Sequence, residues 1–362
     1  MAINTNYLQP SGREEAWRFT PLNRLAGLLD SQVELTSTNS LSLARELPGV
    51  SFQILESSQV VPISQSTDEA TLRVRNAVKE VALITIAEGA ELAEPIYLNR
   101  KTLDGRPEAT RVLISLGANS KATVMVQNIG NAVLAEDLEF KLDSGSTLNF
   151  ISLQEWDDKT IHLGRQHAVI GRDATFNSIV VTVGGSLVRL LPTVEYAGPG
   201  SSAELTGLYF ATDGQHLEHR MHVDHNLPNA KSRVNYKGAL AGDKARTVWI
   251  GDVYIRAAAE GTDTYELNRN LLLSDGARAD SVPNLEIETG EIVGAGHAST
   301  TGRFDDEQLF YLSSRGIPAD EARRLVIRGF FQEILNKINN QEIEERLMNR
   351  IDTDLAKVGA IK

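Results

Sequence analysis

Four histidines recur at every third position: His216, His219, His222 and His225. On a helix, that spacing gathers imidazoles on one face, enough to begin a Zn²⁺ or Fe²⁺ site. The flanking residues are β-like, so a period of two applies instead. It puts His216 and His222 on one face of a strand, and His219 and His225 on the other. Residues six apart on a strand lie roughly 20 Å apart, too far for one ion unless a neighbouring strand adds ligands. The plainer reading is a set of surface and groove histidines. Asp224-His225 has the composition of a general base beside its orienting carboxylate. No Gly-x-Ser-x-Gly elbow accompanies it, and Gly184-Gly185-Ser186 does not fit one, so a structural role is expected. His297 stands in Gly294-Ala295-Gly296-His297-Ala298, where small neighbours leave the ring accessible.

Other chemistry is excluded by what the chain lacks. There is no Gly-x-x-x-x-Gly-Lys-[Ser/Thr] loop, so ATP hydrolysis by this chain alone is not expected. There is no His-Glu-x-x-His motif, and no Gly-x-Gly-x-x-Gly follows a strand. Cysteine is absent, so no disulfide, thiolate nucleophile or thiolate ligand can come from this chain. A metal would need His, Asp, Glu or a partner's sulfur.

The chain has 362 residues with 41% hydrophobic side chains, ample for a sizeable core. Lys plus Arg is 36 and Asp plus Glu is 48, a net charge of −12. That balance repels phosphate backbones and anionic lipid, so neither nucleic acid nor membrane is expected as a partner. The N-terminal residues carry no apolar run of signal-peptide type, and no stretch approaches 18 apolar residues. A cytoplasmic protein is the expectation.

The elements that would position these residues fall into three regions. Residues 1–70 read as a mixed region with short helices. Ser11-Gly12-Arg13-Glu14 fits a capping box ahead of Trp17, and residues 22–70 give no clear fold. Residues 71–300 alternate short strands with Gly, Asn and Asp turns; examples are Val81–Ile86, Ala122–Val126 and Phe176–Val183. Thr247–Ile250 and Val253–Ile255 read as two strands about a Gly251-Asp252 turn. Gly turns at 89, 117, 145, 171, 200, 242 and 276 are separated by 28, 28, 26, 29, 42 and 34 residues. Periods of that size in a β texture point to a parallel β-helix, with a large β-sandwich as the alternative.

Residues 301–362 read as a small α-helical domain. Asp305, Asp306 and Glu307 suit a helix start, Gly316 a helix end and Pro318 the next beginning. Ala322, Leu325, Val326, Phe330, Ile334, Leu335 and Ile338 form one apolar stripe. After Asn339-Asn340, Ile343, Leu347, Ile351 and Leu355 form a second. Leu309-Phe310-Tyr311-Leu312 and Phe330-Phe331 supply more large side chains than one buried face needs, so a partner surface competes with plain core.

Several blocks together resemble the SufB/SufD family of iron–sulfur cluster assembly scaffolds, on its SufD side. They are Pro228 to Gly238 (PNAKSRVNYKG), Asn268 to Ile287 (NRNLLLSDGARADSVPNLEI), Gly294 to Thr300, and Phe304 to Phe330. Arg13 to Leu22 (REEAWRFTPL) is similar to an N-terminal motif of the same group. The strong matches cover roughly the last 140 residues, and their order makes the resemblance specific.

The resemblance implies a right-handed parallel β-helix with helical ends and a non-catalytic scaffold role. It implies a complex with SufB and two copies of the ATPase SufC. SufB would pair through the β-helix. SufC would dock on the C-terminal helices, at Leu309, Phe310, Tyr311, Arg315, Gly316, Ile317 and Phe330. Iron or a nascent cluster would be held transiently at the SufB interface, with His297 contributing an imidazole; Asp224 and His225 are secondary candidates. Some SufD chains carry a cysteine two residues before this histidine, where Ala295 stands here. All thiolates would therefore come from the partner. A flavin is associated with assembled complexes of the family, and no motif here supports one. The rival readings are a homodimeric β-helix protein acting alone and a carbohydrate-active β-helix enzyme. The enzyme needs exposed acids clustered on one sheet face, which Asp157-Asp158 alone does not supply.

Overall fold

The computed structural model describes residues 7–101, 103–304 and 306–358. The chain winds into a parallel β-solenoid of about eight turns with a small helical region at its C-terminal end. From Glu80 onward successive strands alternate between two sheets, one of ten strands and one of nine among the described residues. We call the ten-stranded sheet A and the nine-stranded sheet B. Both are parallel except at one edge each: Val50–Glu56 runs antiparallel to Glu80–Ile86 in sheet A, and Leu41–Leu43 antiparallel to Ile96–Arg100 in sheet B.

Alternation builds the core. In Thr147–Trp156 the residues Leu148, Phe150 and Trp156 point between the sheets, while Ile151 and Leu153 point out. The same split repeats rung by rung, so the interior is one continuous, mainly apolar column with a few buried polar groups such as Arg100, Glu136 and His162 set into it. Outward apolar residues are covered at both faces. The first helix, α1 (Glu69–Ala77), lies with Trp17, Leu25 and Leu28 on sheet A over Ala109, Ala135 and Leu163. Three more helices follow the solenoid: α2 (Asp306–Ser314), α3 (Ala319–Leu335) and α4 (Gln341–Lys357). Of these, α3 and α4 cover sheet B over Met125, Ile151, Val181, Leu208 and Phe210.

The β-helix expectation holds and the sandwich does not. The glycine repeat mixed two corners of the solenoid. Turns through Gly145 and Gly200 precede strands of sheet B, whereas those at Gly242 and Gly276 precede strands of sheet A. The corner that seemed to skip a turn is made by Asn229 and Gly261. Asn119, Gly145, Asp173, Gly200, Asn229 and Gly261 stack at this one corner, each with positive φ. Asparagine and aspartate tolerate that conformation, and glycine takes it freely. The alternation is steric: a Cβ on Gly145, Gly200 or Gly261 would stand 2.1–2.4 Å from the side-chain oxygen of the Asn or Asp one turn earlier.

Other local expectations change. Residues 71–77 are helical rather than β, because Asp68 caps α1 by accepting from the Thr71 amide at 2.9 Å. Gly251-Asp252 is no turn, since Arg246–Ile255 is one continuous strand. Ser11 and Glu14 do hydrogen-bond, but the short 3-10 helix begins at Glu15, so Glu14 caps the preceding loop instead. Of the first stripe, Ala322, Ile334, Leu335 and Ile338 are buried as expected, but Leu325 is exposed and Phe330 half-buried, and Ile327 and Phe331 are buried as well. The second stripe, Ile343, Leu347, Ile351 and Leu355, is buried, after a break at Asn339 (φ 53) and an Asn340 cap on the Ile343 amide.

Candidate functional site

Among the described residues, no strand caps the C-terminal end of the solenoid. Its last strands, Arg278–Ile287 in sheet A and Gly294–Arg303 in sheet B, each have a neighbour on one side only. Their inward residues are therefore less covered than those of the middle turns of the solenoid. Pro283 sits in the first of these strands, where the missing N–H of an edge position costs nothing. Ser281 and Ser299 face each other across the mouth, their hydroxyls 2.7 Å apart. Ser281 also donates to Asn268, which joins Asn270 and the Tyr209 hydroxyl in a buried polar chain.

His297 lies in the last strand of sheet B, side chain 44% exposed. Its register partner one rung inward is Glu266. The two side chains share a face, with Nδ1 of His297 3.7 Å from Oε1 of Glu266. The Glu266 side chain is 1% exposed, and neither oxygen has a hydrogen-bond partner. Burial, helped by the nearby Asp252 charge, pushes its carboxyl up to about 8. Gly251 in sheet A faces it, and a Cβ there would stand 2.1 Å from Oε2. That explains a glycine in mid-strand. Sequence reading missed Glu266; once a turn is known to be about 31 residues here, stepping back from His297 finds it.

The four spaced histidines separate as the strand period requires, but most are not on the surface. His219 is buried in the core, stacked on Tyr209 at 5.0 Å and bonded to Thr182 at 3.0 Å. His225 is buried against Tyr196 and Ser232. His216 is on the outer face yet buried, 3.1 Å from Glu218 beneath Thr20 of the N-terminal segment. His222 alone lines an open cleft of about 640 Å³ on sheet A, with Arg165, Arg189 and Asp224. Asp224 pairs with Arg256 at 2.8 Å, while His225 points to the opposite face, so the two do not act together. Among the described residues no group of three or more His, Cys, Asp or Glu side chains is placed to hold a metal ion.

The C-terminal candidates also separate. Phe310 is 75% and Tyr311 57% exposed on α2, and Arg315 stacks over the Tyr311 ring at 5.1 Å. Gly316 ends α2 at φ 85, with Ile317 half-buried beyond it. Phe330 is half-buried and its carbonyl accepts from Lys237 at 3.0 Å. Asp305 and the Leu309 side chain lie outside the described residues.

Fold and site together define a parallel β-solenoid that carries one accessible imidazole at its open end and an exposed aromatic surface on its helical appendage. A family model described as the SufBD core domain of SUF-system FeS cluster assembly matches residues 99–330. An iron–sulfur cluster assembly SufBD family protein of Mycobacterium tuberculosis is 47% identical over 358 residues, covering 96% of this chain and 89% of its own. A SufBD family protein of Mycobacterium leprae is 44% identical, covering 96% and 90%. The iron–sulfur cluster assembly protein SufD of Escherichia coli is 25% identical, covering 94% and 88%. The chain belongs to the SufBD family of iron–sulfur cluster assembly proteins. Among the described residues no helix is long and apolar enough to cross a membrane.

Proposed function

We propose that this chain is the SufD-type, non-catalytic subunit of an assembly complex. It pairs with a SufB-type chain through the open end of the solenoid and receives SufC-type ATPase subunits on α2 and the start of α3. The observation that carries this reading is the last turn, which no strand caps among the described residues. Two edge strands present unpaired backbone N–H and C=O groups, which a second sheet can extend. The exposed Phe310 and Tyr311 support the docking half, since aromatic anchors on a helix suit a partner groove. Iron or the nascent cluster is the cargo at the joint. With no cysteine in the chain, thiolates come from the partner and His297 adds an imidazole. ATP hydrolysis belongs to the partner, and the work is cytoplasmic.

The test is co-expression with a cysteine-bearing paralogue and the ATPase, purification through this chain, and native mass spectrometry. A complex holding both partners is expected. His297→Ala should leave that complex intact and lower its cluster content. A homodimer that leaves both expressed partners behind would overturn the assembly. Normal cluster content in the intact His297→Ala complex would overturn the role of the imidazole.

A further inference from the structure

Glu266 poses a problem that the protein alone does not solve. A carboxylate 1% exposed with no donor on either oxygen is costly, because buried polar groups are otherwise hydrogen-bonded. Protonation removes the charge but leaves an O–H with no acceptor. The interior has nonetheless been shaped around the group, since Gly251 supplies the space a side chain would fill. Among the described residues, the one titratable side chain in ion-pair range is His297, on the adjacent rung and open to solvent.

We infer that Glu266 and His297 form a two-ligand seat for a divalent first-row cation at the mouth of the solenoid. The inference rests on the proposed role of His297 and extends it to a second group of this chain. Two ligands about 2.1 Å from one ion, between a right angle and a tetrahedral angle apart, lie about 3.0–3.4 Å from each other. The observed 3.7 Å is within a small side-chain adjustment of that range and too long for a hydrogen bond. Imidazole with carboxylate suits iron, cobalt, manganese or zinc. The cation reaches the seat past Ser281 and Ser299, and water or a partner's thiolate completes it. The seat also gives the buried carboxylate the positive partner it lacks, so cargo iron meets a ligand pair before any thiolate of the partner.

The test is a Co²⁺ titration of the whole chain, purified without a histidine tag and followed by visible absorption and by the imidazole proton signals. One saturable site is expected, lost in His297→Ala and at least tenfold weaker in Glu266→Gln. The glutamine keeps shape and volume, and circular dichroism with thermal unfolding verifies that both variants are folded. No saturable site in the parent chain, or equal affinity in Glu266→Gln, overturns the seat. The two readings fail separately. Partner capture with normal His297-dependent cluster content, alongside unchanged Co²⁺ binding in Glu266→Gln, removes the seat and keeps the assembly role. Glu266-dependent Co²⁺ binding in a chain that captures no partner does the reverse.

Discussion

Tyr236 lies across Gly207, its partner on the adjacent strand, and Tyr209 lies across Gly238 in the same way two residues along. The pairs are reciprocal: each strand gives one glycine and one tyrosine, and each ring fills the space over the other's glycine. A Cβ on either glycine would stand 1.9 Å from a ring carbon. Between them, Lys237 points outward to the Phe330 carbonyl and the Glu333 carboxylate of α3. The Tyr236-Lys237-Gly238 block thus ties the interior to the helical appendage.

Gly207→Ala is therefore expected to overpack the interior and destabilise the chain by about 1–3 kcal/mol. Urea unfolding measures it as a lowered midpoint. Adding Tyr236→Leu should return part of the loss, because the two residues share the contact. An unchanged midpoint in Gly207→Ala would mean that the rings can move aside freely.

Lys237→Met removes the link to α3. Lys237 is 5% exposed, but Glu333 is solvated, so the pair is discounted to roughly 1–2 kcal/mol. Hydrogen exchange should show α3 amides exchanging about tenfold faster while inner strands keep their protection. Equal protection in both variants would assign the attachment of α3 to its apolar face alone.

The solenoid was legible because glycine turns recur every 26–42 residues through a β texture, and the C-terminal stripes because they keep helical spacing. What escaped has physical causes. Asn229 makes the same positive-φ turn as glycine without being glycine, which opened the 42-residue gap between Gly200 and Gly242. Gly251 looked like a turn because its true reason, room for Glu266, depends on a strand of the other sheet. Two positions of the first stripe were misassigned because Leu325 and Phe330 are as apolar as Ile327 and Phe331, and only the docked sheet distinguishes them. At the candidate site His297 was found and Glu266 was not, since their pairing is set by the length of one turn.

Histidine burial predicts acid sensitivity. Five of the seven histidines, His162, His167, His219, His222 and His225, are held below their ordinary value, chiefly by burial. His219 is lowered to about 3 and His225 to about 4. Between those values and about 6.5 the unfolded chain binds protons that the folded chain does not, so stability falls as pH drops through that window. Each such histidine removes up to about 1.4 kcal/mol per pH unit there. Glu266 acts in the opposite sense, losing stability as pH rises from about 4.5 toward 8, and Glu108, Glu139 and Glu195, also raised by burial, act with it, so four carboxyls stand against five histidines. Thermal midpoints should drop steeply from pH 7 to 4.5, and His219→Gln should flatten the slope. A midpoint constant across that range would contradict neutral burial of these rings.

The exposed aromatics of α2 separate docking from folding. Phe310 and Tyr311 are mostly solvent-facing, so Phe310→Asp or Tyr311→Asp should change stability by no more than about 0.5 kcal/mol. If these rings enter an apolar groove of the ATPase partner, the new carboxylate must be desolvated there, and affinity should fall at least tenfold. Phe331→Asp supplies the contrast. That ring is buried between α3 and sheet B, so its replacement should loosen the helices themselves. Titration calorimetry against the purified ATPase reads the first effect, and thermal unfolding reads the second. Full affinity in both α2 variants would take the docking surface away from α2. Loss of affinity together with loss of stability would show that these side chains hold the appendage together and do not meet the partner directly.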